Sequence, residues 1–350
     1  MTFRGLRGII AAETALSEAT PAGELRLRGY DIAALAEAAS YEAVVKLLWD
    51  GDLPSAADLR AFEAALKARR TPPGFLLNLL RDLPPATPPM AALRIAISAL
   101  PEADGRDLVA LAPVLIAAHH RMRRELAPVP PDLTLGHAAN FLWMLRDRPP
   151  TAQEARALDV AMLLLAEMSL NPSTFALRIA ASTEAPLPAA VATALAVLSG
   201  PRHGGAGPLV MPVLRAIGTP ERAGDYVEQE RAAGRKIAGF GHRVFRAPDP
   251  RAAVLREVAR DLSEVCGDLP WYEVAQALRH EMAARLDLHI NVDFYYAPTF
   301  CLLGIPDDLH TALFAAARIA GWVAHYHEQR ATERIIWPEA RYIGPEARSL

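Results

Sequence analysis

An all-α chain of two helical units, with a small β-hairpin near its N-terminus, is what the sequence predicts, and three observations carry that expectation. Apolar residues recur at helical spacing from Ile32 almost to the C-terminus. Prolines interrupt this pattern so as to leave helices of roughly 10 to 20 residues. Period-two alternation is confined to Glu24-Leu25-Arg26-Leu27-Arg28, behind the turn-forming Thr20-Pro21-Ala22-Gly23.

After the hairpin the period changes at Asp31, with Ile32, Leu35 and Ala36 and then Val44, Val45, Leu47 and Leu48 on helical stripes. Pro54, Pro72-Pro73, Pro84-Pro85, Pro88-Pro89, Pro128 to Pro131, Pro149-Pro150, Pro186 and Pro188 mark boundaries. The second half has sharper helix ends. Gly207-Pro208 opens a helix that runs towards Ile217 and stops at Gly218. Asp249-Pro250 opens another, with Val254, Val258, Leu262 and Val265 along one face and Gly267 as its stop. Val274, Leu278, Met282 and Leu286 mark a third, and Asp307 or Asp308 caps a long one carrying Leu309, Leu313, Arg318 and Val323. Residues 206–303 thus read as a smaller helical unit inserted into a larger one made of 1–205 and 304–350.

Composition narrows the function classes. With 52% hydrophobic residues over 350, the chain can bury a large core. A formal net charge of -3 with no block of like charge gives no reason to expect nucleic acid or an anionic membrane as partner, so small molecules are the expected ligands. Two cysteines, Cys266 and Cys301, fit a reducing, cytoplasmic setting. The apolar run Gly8-Ile9-Ile10-Ala11-Ala12 stops at Glu13, short of a signal peptide, and Leu108 to Ala118 is short of the roughly 20 residues that span a bilayer.

Three short stretches gather the ionisable groups. They are Gly200-Pro201-Arg202-His203-Gly204-Gly205-Ala206, then Gly239-Phe240-Gly241-His242-Arg243 followed by Asp249-Pro250-Arg251, then Asn291-Val292-Asp293-Phe294. Glycines beside His203 and His242, just ahead of helical patterns, allow close approach of backbone to ligand, and neutral histidines there can donate to a carbonyl or a developing enolate. Asp293 reads either as an N-cap or, if desolvated, as a general base. Arg251, near a helix N-terminus, opposes the helix dipole and so asks for an anion. Two carbonyl polarisers and one base suit proton abstraction beside a carbonyl and carbon–carbon bond formation. His119-His120, His325-x-His327 and His280-Glu281 lack the accompaniment of a metal site, so no metal is expected.

In spelling and order these stretches resemble the citrate synthase family. Gly200 to Ala206 is similar to its first histidine motif, Lys236-Ile-Ala-Gly-Phe-Gly-His242-Arg-Val-Phe with Asp249-Pro-Arg251 to its second, and Asn291-Val-Asp293-Phe to its aspartate motif. Gly5-Leu-Arg-Gly-Ile, Ala12-Glu-Thr, Arg28-Gly-Tyr-Asp-Ile, His137-Ala-Ala-Asn-Phe-Leu, Asn171-Pro-Ser-Thr-Phe, Leu303-Gly-Ile-Pro and Arg318-Ile-Ala-Gly-Trp extend the likeness over nearly the whole chain. It implies a helical homodimer in which a small domain closes over acyl-CoA and a 2-oxo acid such as oxaloacetate. By resemblance Asp293 is the base, His203 stabilises the enol and His242 polarises the acceptor ketone. Arg251, Arg318 and Asn171 belong to the acceptor side. Lys236, Gly239, Phe240, Gly241, Arg243 and Arg246 lie where coenzyme A is received. The resemblance implies acetyl-CoA as co-substrate and no tightly bound cofactor.

The chain departs from the family in four places. Met168 stands where the family has an acceptor-binding histidine. Ile335-Ile336-Trp337-Pro338-Glu339 stands where it has Ile-Ile-Arg-Pro-Arg, whose first arginine reaches into the partner's site. Loss of one partner of a buried charge pair costs about 2 to 5 kcal/mol, so the expectation is either an acceptor with an apolar group facing Met168 and Trp337, or repair by Arg334 or Arg341. Pro88 and Gly207 replace a histidine and an asparagine without an assigned consequence. The rival readings are a catalytically silent acyl-CoA-binding homologue and an enzyme that cleaves a citryl-CoA-like thioester with the same residues in reverse.

Overall fold

The structure, a computed structural model, describes residues 4–6, 8–267 and 269–349; Arg7, inside the N-terminal signature, lies outside them. Strands β1 (Ser17–Ala19), β2 (Leu25–Leu27) and β3 (Tyr30–Asp31) form one antiparallel sheet in that order, with Ser17 opposite Leu27 and Arg26 opposite Asp31. The expected hairpin is present and gains a third short strand. Leu25 and Leu27 turn inward from it while Arg26 pairs with Glu18 outside.

Helices account for the rest. The first eight are α1 (Ile32–Ala38), α2 (Tyr41–Asp50), α3 (Ala56–Lys67), α4 (Gly74–Asp82), α5 (Pro89–Ser98), α6 (Gly105–Met122), α7 (His137–Arg146) and α8 (Ala152–Leu165). Then come α9 (Pro172–Ser182), α10 (Leu187–Leu198), α11 (Gly207–Ile217), α12 (Ala223–Ala232), α13 (Pro250–Cys266), α14 (Leu269–Leu286), α15 (Asp293–Leu302) and α16 (His310–Arg330). Polar side chains fix many starts: Asp31, Ser40, Ser55 and Asn171 accept from first-turn N–H groups, and Asp104 with Asp107 and Thr151 with Glu154 form capping boxes. The proline and glycine boundaries of α11 and α13 fall where the sequence places them, with Gly267 left-handed after α13.

The core is built around α16, buried along most of its length from Ala312 to Ala324 and packed on α2, α6, α8, α9 and α10. Two expectations need correction. On α13 the buried face is Ala252, Leu255, Ala259 and Leu262, while Val265 is 64% exposed, because α13 lies against α15, α8 and α1 on its small-residue side. Neither Asp307 nor Asp308 caps α16: a 3-10 turn, Asp307–Leu309, precedes it, and these carboxylates pair with Arg215 and Arg123 instead. No helix among the described residues is long and apolar enough to cross a membrane.

Candidate active site

The second and third motifs are zipped together. Phe240 and Ile290 form an antiparallel bridge, the Gly241 N–H donates to His289 O at 2.8 Å, and the Asn291 N–H donates to Gly239 O at 2.9 Å. Asn291 Nδ2 adds a bond to Gly241 O at 2.9 Å. Gly239 is required here: at φ 87° its Cβ would stand 2.8 Å from Phe294 Cδ2.

His242 does not precede a helix as the glycine pattern suggests, since α13 begins eight residues later; it is held by its own turn. Its Nδ1 accepts the N–H groups of Val244 (3.2 Å) and Phe245 (3.1 Å), and its ring stacks on Phe245 at 4.4 Å. An accepting Nδ1 puts the ring proton on Nε2, so His242 presents a donor. Burial, seconded by the Arg251 charge, lowers its pKa to about 4, and the ring is neutral at working pH.

Asp293 is the first residue of α15, and its side chain caps nothing there; its N–H is taken by Asn291 Oδ1 at 3.0 Å. The N-cap reading therefore fails. Part of the residue remains accessible, but protein encloses the carboxyl, and burial raises its pKa to about 6 even though Arg251 and Arg318 pull it down. The anion that Arg251 asks for is supplied in the first place by its own cap. Asp249 takes Arg251 Nε at 3.0 Å and Nη2 at 2.7 Å, and also accepts the Val292 N–H at 3.1 Å, so one buried carboxylate joins α13 to the aspartate motif. Burial opposes ionisation of Asp249, but the Arg251 charge and hydrogen bonds prevail and hold its pKa below the usual range.

His203 belongs to different neighbours. Its Nε2 lies 2.9 Å from Ser173 Oγ, which in turn donates to Asn171 Oδ1 at 2.7 Å, and Thr311 of α16 ties down Gly204 O. Burial, and behind it the Arg318 charge, lowers the pKa of His203 to about 4. Arg318 is fully enclosed, donates from Nε to Leu165 O, and has a buried Nη2 without a partner. Burial lowers its pKa to about 10, offset chiefly by Glu167, so it stays charged. Glu167 accepts from Ser17 Oγ (3.0 Å) and His325 Nε2 (2.9 Å), next to the buried Met168.

The electrostatic couplings place His203, His242, Asp293, Arg251 and Arg318 around one locus. Trp337 is not brought to it by its own chain: it is 81% exposed on the extended segment after α16. Arg334 and Arg341 are exposed on the same segment. Lys236 and Arg243 are exposed near the His242 turn, while Arg246 braces that turn through His242 O and Phe245 O. Sequence alone does not mark Ser173, Glu167, Asp249 or Tyr296 as site residues: Ser173 and Glu167 act through neighbours distant in the chain, Asp249 reads as a helix cap, and the spacing of Tyr296 from Asp293 is that of any two residues on one helical face. Among the described residues no three His, Cys, Asp or Glu side chains converge as a metal-ion set.

A family model described as citrate synthase, C-terminal domain, matches residues 5–339. A citrate synthase of Haloferax volcanii is 40% identical, with 97% of this chain and 95% of the relative covered. The crystal structure of citrate synthase from Thermotoga maritima superposes with a TM-score of 0.92 at 32% identity, covering 100% of this chain and 98% of that one. A citrate synthase of Thermoplasma acidophilum, solved as a ternary complex with carboxymethyl coenzyme A and oxaloacetate, gives 0.92 at 26% identity over 99% and 97% of the two chains. With the three motifs gathered at one locus and likeness from end to end in sequence and fold, the chain belongs to the citrate synthase family.

Proposed function

We propose that the chain condenses acetyl-CoA with oxaloacetate and releases coenzyme A, with Asp293 as base, His203 at the enol oxygen and His242 at the acceptor carbonyl. The observation that carries this assignment is an enclosed carboxylate, free of any capping duty, that faces two buried arginines, each of which also faces one of the two neutral histidines. Its raised pKa makes Asp293 a stronger base than a solvated carboxylate while leaving it ionised at neutral pH. It takes a proton from the acyl α-carbon, and the carbonyl oxygen that gains charge is met by His203.

Which nitrogen of His203 donates is set by Ser173. While the serine proton points to Asn171, Nε2–H donates to Oγ; when the hydroxyl turns to Nε2, the ring proton sits on Nδ1 and can meet the enol oxygen. Ser173→Ala is therefore expected to lower kcat by about tenfold or more with little change in KM, checked by steady-state kinetics. His242 offers Nε2–H to the ketone of oxaloacetate, polarising the carbon that the enol attacks. The free edge of Arg251 and the unpartnered Nη2 of Arg318 suit the two carboxylates of that acceptor. Citrate synthases use acetyl-CoA as co-substrate and hold no tightly bound cofactor, and the bound ligands of the Thermoplasma relative support the same pair here.

Residues 206–303 are the unit that moves over the substrates in this reading, and Lys236, Gly239, Phe240, Gly241 and Arg243 take coenzyme A. The chain works as a cytoplasmic homodimer. The segment after α16 exposes Ile335, Trp337, Tyr342 and Ile343 by 53% or more, which supports its docking on a second copy. There Trp337 and Met168 border the acceptor.

The test is thiol release from acetyl-CoA with oxaloacetate, followed against pH. Protonating Asp293 removes the base, so kcat/KM is expected to fall about tenfold per unit below roughly pH 6, with the histidines adding nothing until near pH 4. A profile flat through pH 5, or turnover of 2-oxo acids lacking a second carboxylate in preference to oxaloacetate, sinks the corresponding assignment.

A further inference from the structure

Gly207, where the resemblance leads one to expect asparagine, sits against the hydroxyl of Tyr296. A Cβ at position 207 would stand 1.4 Å from Tyr296 Oη and 2.3 Å from Cζ, so a side chain at 207 and the phenol of Tyr296 exclude one another. The ring is itself fixed: Tyr296 is 1% exposed and packs on Phe300, Phe314 and His310 at centroid distances of 5.1, 5.7 and 6.1 Å. Tyr296 lies three residues after Asp293 on α15, where side chains share a face, and its phenol acts on the Asp293 carboxyl, favouring the ionised form.

We infer that Tyr296 is a positioning residue for the Asp293 carboxylate, and that position 207 is glycine because the phenol occupies the space of its side chain. The inference rests on Asp293 being the base. A carboxylate enclosed without a fixed partner can rotate; a donor on one oxygen holds the plane and leaves the other oxygen for the substrate proton. The phenol is the donor of the pair, since burial and the neighbouring carboxylate keep it protonated well above its ordinary range. The other charged groups facing this pair are Arg251 and Asp249 from α13 and its cap, and Arg318 from α16; His310 flanks the ring and, lowered to about 4 mainly by burial, is neutral. None of them is altered by removing the hydroxyl. Since the phenol favours the ionised carboxylate, its loss must raise the pKa of the base.

Tyr296→Phe in the full-length protein is expected to move the acid limb of kcat/KM upward by about half to one pH unit and to lower kcat about tenfold. KM for both substrates should stay within about twofold, and the melting temperature should stay near that of the unchanged protein, because the aromatic packing is kept. Gly207→Ala should move the limb in the same direction by displacing the phenol, and should have little further effect in a Tyr296→Ala background. An acid limb that stays in place in Tyr296→Phe overturns the inference, as does full additivity of the Gly207 and Tyr296 changes. Asp293→Asn run in parallel separates the two levels. If it retains turnover, the base assignment falls and this inference with it; if it loses turnover while Tyr296→Phe keeps its limb, only the positioning role falls.

Discussion

Asp293→Asn is expected to fold and to turn over with kcat lowered about 10²–10⁴-fold, the range by which a positioned general base accelerates proton transfer. The amide keeps the shape of the carboxyl, and helix α15 is indifferent because Asp293 does not cap it. Steady-state kinetics should place nearly all the loss in kcat, with KM little changed. Stability moves the other way. The pKa of Asp293 is raised on folding to about 6, so the folded state holds its proton more tightly than the unfolded chain. That contribution is present at pH below the unfolded value and is lost as pH rises through about 6. At pH 7 the ionised carboxylate thus costs up to about 3 kcal/mol, and Asn removes the cost. Denaturation of the variant at pH 7 should show equal or greater stability; a less stable variant with intact kinetics would contradict both halves.

Asp249→Asn should act on stability first. Its carboxylate is buried, holds Arg251 through two nitrogens and accepts the Val292 N–H, so removing its charge leaves a guanidinium enclosed and uncompensated. Breaking one partner of such a pair costs about 3–5 kcal/mol. Denaturant titration at fixed protein concentration measures it, and Asp249→Asn combined with Arg251→Met should recover much of the loss without recovering activity. The pKa of Asp249 is depressed on folding, so the stability it supplies is present above the unfolded carboxylate value and disappears as pH falls through the folded one. The difference between the unchanged protein and the variant should therefore narrow on acidification.

The sequence makes the helix ends at Gly207-Pro208, Asp249-Pro250 and Gly267 legible because proline and glycine restrict the backbone locally, whatever the surroundings. The face of α13 is a different matter. Two apolar stripes lie on that helix, and close approach to α15 selects Ala252 and Ala259 over the larger valines, a choice made by the neighbour and not by the stripe. The three motifs could be found because their order and spelling match a known family. What could not be found is how they lean on each other: Asp249 looks like a cap and is also the counter-ion of Arg251, Ser173 looks like a first-turn residue and orients His203, and Tyr296 meets a position 89 residues earlier in the chain. Such pairings depend on which helices are adjacent, and periodicity carries no record of that.

The bridge between Phe240 and Ile290, with Asp249 binding Val292, makes His242 and Asp293 parts of one rigid piece. His203 is fastened elsewhere, by its ring to Ser173 and through the next residue, Gly204, whose carbonyl accepts from Thr311. A displacement of residues 206–303 relative to the rest of the chain would carry the base and the ketone polariser together and change their spacing from the enol-stabilising histidine and from Arg318 on α16. Substrate deprotonation would then be timed by the closing of that gap: an enolate formed before the two pieces meet finds no donor, and the proton returns to carbon.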